Sequence, residues 1–304
     1  MINIVIQTRL QSIIGEKQEI LIALMSPVRN KASKTALQIK TSLQNKQIHA
    51  FWWSKKVNFG DLLTPELVQH YGYMPVPATR ENADIVAVGS LLQMLRDDYR
   101  GFILGTGLIE NINLQFDQAK IIAVRGELTK TNLDLPTNTE TGDLGLLGHQ
   151  LLRQADIYND QKRYSIGLIT HYVDKRHPWV NRMKRYLGKS GCVIEVQDRA
   201  TSVIGKINKC DTVVSSSLHG LIAADAMGKP NAWIKLSNNI IGSGFKFRDY
   251  NSSIDYDQQC LSVNDSTNMK DLERVFSNKS TAIIKKKQAR LEILFKQTLK
   301  MMKC

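Results

Sequence analysis

The chain has 304 residues, 42% hydrophobic and 23% charged, which is room for two domains of ordinary size. With no apolar run of 18 residues, it has no membrane-spanning helix. The net charge of +13 sits at the ends, +5 over residues 1–50 and +7 over 270–304; a nucleic-acid enzyme, whose basic surface should line its working groove, is thereby excluded. Cys192, Cys210, Cys260 and Cys304 lack metal-ligand spacing and the opening lacks a signal peptide, so we expect a cytoplasmic chain with reduced thiols and no metal.

Residues 1–47 read as a basic N-terminal extension, with candidate helices over 17–25 and 34–43 separated by Pro27. From residue 48 to 155 the pattern becomes α/β. Short apolar or β-branched runs at 49–53, 85–88, 102–105 and 121–124 each end in Gly or a polar residue, and helical stretches lie near 62–71, 91–97 and 127–133. A polar stretch over 150–163 reads as a linker. A second alternation follows over 156–275, with strands at 165–170, 193–196, 212–214 and 232–234 and helices near 178–188 and 221–227. Alternation of this kind implies parallel sheets, here as two Rossmann-like domains facing a cleft. Residues 276–304 form a basic amphipathic helix, with Ile284, Leu291, Leu294 and Phe295 at helical spacing among lysines. That stripe suits either packing on the body or peripheral contact with an anionic membrane at its inner face.

The ends of these strands hold the reactive residues, where open α/β sheets bind ligands. In Val213-Val214-Ser215-Ser216-Ser217-Leu218-His219-Gly220 a buried strand runs into a hydroxyl-rich turn and a helix starting near Gly220. The amide of Gly220 with the hydroxyls of Ser216 and Ser217 suits an anion, and His219, with an unperturbed pKa of about 6.5, suits proton transfer beside it. His171 follows another strand and is a second acid/base candidate. Arg125 offers a planar fork to a carboxylate or phosphate; a surface pair with Glu127 or another acid is the alternative. Asn58 and Asp61 stand at a strand-to-helix turn with Trp53 nearby, suited to sugar hydroxyls and a sugar ring; Asp61 as a mere helix cap is the alternative. The segment Gly242–Tyr250, with Lys246, reads as a flexible loop able to close on an anion.

The blocks NFGD, GTG, VRGELT, GD…LL, HYVD, SSSLHG and GFKFRDY, in this order from Trp52 to Tyr250, resemble the polysaccharide pyruvyltransferase family. Asp143-Leu144 departs from the usual Asp-Pro, and the terminal extensions lie outside the resemblance. The likeness implies a glycosyltransferase type B-like arrangement. It also implies transfer of the enolpyruvyl unit of phosphoenolpyruvate onto a saccharide acceptor, giving a pyruvate ketal and phosphate. Capsule, exopolysaccharide and cell-wall sugars are the usual acceptors, and phosphoenolpyruvate is a substrate, with no cofactor; the basic ends suit a lipid-linked precursor as acceptor. In these terms His219 and His171 are catalytic. Arg125, Ser216, Ser217, Gly220 and Lys246 bind the donor, while Asn58, Asp61 and Trp53 meet the acceptor. Two other readings stay open: a nucleotide-sugar glycosyltransferase of the same fold, and a catalytically silent protein binding anionic glycans or membrane surfaces.

Overall fold

A computed structural model describes residues 46–152 and 163–302. The candidate helices over 17–25 and 34–43, most of the 150–163 linker and Cys304 lie outside the described residues. Two sheets fall on either side of the linker. The first has the order β2-β1-β3-β4-β5-β6, from β1 (Gln47–Phe51), β2 (Met74–Pro77), β3 (Ile85–Val86), β4 (Phe102–Leu104), β5 (Lys120–Val124) and β6 (Glu140–Thr141). The second has the order β11-β10-β9-β7-β8, from β7 (Tyr164–Ile169), β8 (Gly191–Ile194), β9 (Cys210–Ser215), β10 (Asn231–Lys235) and β11 (Cys260–Ser262). The pairings from β1 through β3, β4 and β5 to β6 are parallel, as are all those of the second sheet. The predicted α/β class and its eight strands are present; β2, β6 and β11, short and without a β-branched run, were not legible.

Each sheet repeats one plan: its first strand lies between its second and third. The direction of winding therefore reverses between β1 and β3, and again between β7 and β9, and such switch points open a crevice at the carboxyl ends of the strands. The helices that follow these strands start where the sequence supplies caps and apolar spacing. In α1 (Phe59–His70), Asn58 accepts a hydrogen bond from the Gly60 amide at 3.3 Å, and Leu63, Leu67 and Val68 face inward. The helix α5 (Leu218–Ala226) is buried on all sides, as its small and apolar sequence LHGLIAADA allows. Its start at Leu218 precedes the expected Gly220, so His219 stands in its first turn.

The two sheets share one continuous core that includes Leu63, Leu67 and Ala87 from the first and Ile169, Val203 and Leu221 from the second. Three further contacts join them. The Phe59 amide donates to the Val196 carbonyl at 2.7 Å. Glu66 accepts from the Ala200 and Thr201 amides at 3.1 Å each, a carboxylate set on the positive end of α4 (Ala200–Asn208). The helix α6 (Phe245–Ser252) crosses from the second sheet to lie on α2 (Glu127–Asn132), where Gly126 leaves room for the Asp249 backbone. The segment expected to be a flexible loop from 242 to 250 is thus mostly helix, anchored at Asp249.

The C-terminal helix, α8 (Thr281–Met301), packs inward: Ile284, Leu291, Phe295 and Leu299 are buried. Gln288 donates to the carbonyls of Leu146 and Ala226, and Lys287 to Glu140 and Thr141. Of the two uses expected of the apolar stripe it is packing on the body that is present, because burial there satisfies both its apolar surface and its neighbouring polar groups. Lys285 and Lys286 stay exposed. Among the described residues no helix is long and apolar enough to cross a membrane.

Candidate active site

The two switch points meet at His219. Its ring lies edge-on to Phe59, with centroids 6.4 Å apart. It also presses so closely on Gly60 that a Cβ there would stand 2.1 Å from Nδ1. Glycine in NFGD is therefore required by the imidazole of the other half. The other ring nitrogen, Nε2, faces Asp143 Oδ2 at 3.9 Å, and both atoms are buried without a hydrogen bond. Asp143 comes from the turn after β6 and leads into a 3-10 helix over Leu144–Leu151; its Oδ1 accepts from the Gly145 amide at 2.7 Å.

Lys246, near the start of α6, carries the charge that links this group. It lies within electrostatic reach of Asp61, His171, His219 and Arg125. Burial, opposed by Lys246, raises Asp61 to about 7. Asp143 is raised to about 7 by burial, with Arg125 opposing. Burial, reinforced by nearby cations, lowers His219 to about 3 and His171 to about 4. Lys246 falls to about 8, mainly through burial. Desolvation disfavours whichever form is charged, which is why acids and bases move in opposite directions. At neutral pH both histidines are neutral, which corrects the expectation that His219 titrates near its ordinary value.

Several expected site residues take different places. Asn58 is the helix cap, which leaves the Asp61 carboxylate free of that duty; among the described residues it makes no hydrogen bond. The Gly220 amide donates to the Ser217 carbonyl at 3.1 Å, so it is not open to an anion. A Cβ at Gly220 would come within 2.4 Å of Ser215 Oγ, which explains the glycine by packing. Ser215 Oγ accepts from the Ser217 amide and donates to the Ser217 carbonyl, while Ser216 Oγ accepts from the His171 amide at 2.9 Å. Two of the three serines thus hold the turn together, and the Ser217 hydroxyl makes no cap bond.

Arg125 is fully enclosed. Its Nε donates to Asp249 at 2.8 Å, one terminal nitrogen to Ser90 Oγ at 2.6 Å and the other to the Leu108 carbonyl. Asp249 also accepts from the Thr129 amide and hydroxyl at 2.7 and 2.6 Å. The fork expected to hold a substrate anion instead grips a carboxylate of the chain itself. Trp53 is half-buried, with Lys55 Nζ 5.5 Å from its ring centroid, and His171 packs on Tyr172 at 4.3 Å. Among the described residues no group of three His, Cys, Asp or Glu is placed to hold a metal.

Comparison with known proteins bears on this arrangement. A family model described as polysaccharide pyruvyl transferase matches residues 8–238. The chain belongs to that family. An uncharacterized protein of Acanthamoeba polyphaga mimivirus is 26% identical over 266 residues, covering 79% of this chain and 91% of its own length. A functionally uncharacterized protein of Klebsiella pneumoniae, of known crystal structure, is similar at 14% identity and a TM-score of 0.41, over 78% of this chain and all of that one. The polysaccharide pyruvyl transferase match begins at residue 8, inside the segment expected to lie outside the resemblance. It ends before α6, so the GFKFRDY block with Lys246 and Asp249 lies beyond the matched residues. Asp143 was legible only as part of the GD block. The signal that marks it is a carboxylate set against the apolar run LGLLG, where desolvation is unavoidable.

Proposed function

We propose that this polysaccharide pyruvyl transferase moves the enolpyruvyl unit of phosphoenolpyruvate onto two hydroxyls of a sugar, in a surface polysaccharide or its lipid-linked precursor. The observation that carries this reading is that Lys246 stands within electrostatic reach of Asp61, His171 and His219, where the segments after β1 and β9 touch, in a chain of this family. Addition of a proton to the methylene carbon makes C2 of the donor electron-deficient. One sugar hydroxyl adds there, phosphate leaves, and the second hydroxyl closes the ketal. Of the two hydroxyl protons released, one replaces the proton given to carbon and the other leaves with phosphate. The reaction needs no cofactor beyond these substrates.

Lys246 binds the donor's phosphate or carboxylate, aided by the Ser217 hydroxyl and by the Leu218 and His219 amides, which precede the first intrahelical bond of α5. Arg125 acts at one remove: gripping Asp249, it holds α6 and hence Lys246 over the site, and its charge adds to the anion-attracting field. His219, neutral at pH 7, takes a hydroxyl proton, with His171 as a second donor contact. Asp61 faces the acceptor hydroxyls and Trp53 flanks the sugar ring, while Asn58 sets the entry of α1. The exposed lysines of α8 suit action at the inner, anionic face of a membrane.

The test is phosphate release from phosphoenolpyruvate over a panel of lipid-linked and simple glycosides. Acceptor-dependent release, reduced at least 100-fold by His219→Ala in a folded variant, is expected. Thermal stabilisation by UDP or CMP but not by phosphoenolpyruvate, with no phosphate release, overturns the reading in favour of a nucleotide-sugar enzyme.

A further inference from the structure

Among the described residues only three side-chain polar atoms fully shut off from solvent lack a hydrogen bond, and two of them face each other: Asp143 Oδ2 and His219 Nε2. Orphaned polar atoms in a packed interior are costly, so a pair left open is a feature to be explained. Neither side chain is loose. Asp143 is completely buried and its other oxygen is fixed on the Gly145 amide, while His219 is held between Phe59, Gly60 and the 3-10 helix, which borders the ring at Gly145. The separation of 3.9 Å is about 1 Å beyond a hydrogen bond, and catalytic hydrogen bonds that are long in a free enzyme commonly tighten once substrate is bound.

We infer that Asp143 is a positioning residue that sets which ring nitrogen of His219 carries the proton. When Asp143 is ionised it accepts from Nε2–H, and Nδ1, the nitrogen turned to Gly60 and the first half, presents a bare lone pair. When Asp143 is protonated it donates to Nε2, and Nδ1 carries the proton. Taking a proton at Nδ1 while passing the Nε2 proton to the carboxyl converts one form into the other, and the imidazole is neutral in both. The low polarity that disfavours an imidazolium therefore does not prevent the ring from relaying protons. The charges facing the pair are Arg125 at the end of β5, with Asp249 and Lys246 on α6; Asp61 on α1 faces Lys246. Burial places the Asp143 carboxyl near neutrality, where both forms are reachable.

This inference concerns the histidine named in the proposed function, and its test does not require turnover. Protein labelled with ¹⁵N-histidine, with His219 identified by its loss in His219→Gln, reports the tautomer directly from the ring nitrogen shifts. The expected result is a neutral His219 that passes from the Nδ1–H to the Nε2–H form with a midpoint near pH 7. In Asp143→Asn, whose side chain has nearly the same shape, one tautomer should persist from pH 5 to 9. A wild-type His219 that keeps one tautomer across this range, or becomes an imidazolium within it, overturns the inference, as does an unchanged tautomer transition in Asp143→Asn. If phosphate release fails for every acceptor while the tautomer passes as expected, the substrate assignment falls and the Asp143 inference stands.

Discussion

Two clusters of acids and bases are buried in this molecule, and they are built on opposite rules. Around Asp225, every polar group is answered. Lys279 Nζ donates to Asp225 at 2.8 Å, to Gln258 at 3.1 Å and to Asn231 at 3.3 Å, while Tyr250 and Asn231 donate to the same carboxylate at 2.8 and 2.6 Å. Gln258 reaches on to Ser277 and the Asn231 carbonyl. This network ties α5, β10, α6 and the segment leading to α8 into one body. Around His219, by contrast, Asp61 makes no hydrogen bond, Asp143 and His219 each keep an orphaned atom, and of the charges nearby only Arg125 and Asp249 are paired off. A satisfied network stabilises and stays inert; an open one costs stability and keeps its protons available.

The same substitution at the two sites separates them most sharply. Asp225→Asn leaves Lys279 buried without its counter-charge and should cost about 3–5 kcal/mol. Asp143→Asn should change stability by less than about 1 kcal/mol at pH 6, since no ion pair and only the Gly145 bond is at stake. Equilibrium denaturation of both variants reads the difference, and equal losses would erase the distinction between the clusters. Next in size, Gly60→Ala drives a methyl into the His219 ring and should cost about 1–3 kcal/mol. It should also lower turnover far more than substrate affinity, in a phosphate-release assay that resolves kcat from KM.

A smaller effect follows from pH. Because Asp61 titrates near 7 in the folded protein and near 3.8 when unfolded, the folded state binds an extra proton between those values. Its contribution therefore falls as pH rises from about 4 to 7, and above 7 the cost of an ionised buried carboxylate is fully present. Asp61→Asn should accordingly gain stability relative to the wild type between pH 5 and pH 8. A constant difference in Tm across that range contradicts the burial of Asp61. Smallest of all, Lys246→Met should raise the titration of His171, since one cation holding it down is gone. Burial keeps it below the ordinary range, as a proton NMR titration can follow.

Much of the fold was legible because its cause is local. Alternating apolar or β-branched runs and helices marked eight strands, and the Ser-rich turn placed His219 at a strand end before any tertiary fact was known. What failed was local chemistry whose partner lies far along the chain. Asn58 and Asp61 could not be told apart as cap and free carboxylate until the entry of α1 was seen. Arg125 looked like an anion fork because its partner, Asp249, stands 124 positions away. Gly60 carried no sign that an imidazole from the other sheet would occupy the space of its side chain. Gly220 looked like an open amide because the helix start was placed two residues late.

The sequence by itself determined the α/β class, the parallel alternation, the family blocks and the strand ends at which His171 and His219 stand, since hydrophobic periodicity and turn residues act over a few positions. Tertiary structure alone decided which of these groups are charged and which of them meet. Burial and the approach of Arg125 and Lys246 set the titration of Asp61, Asp143, His171 and His219, and these are fields and distances that arise only when two sheets close on each other.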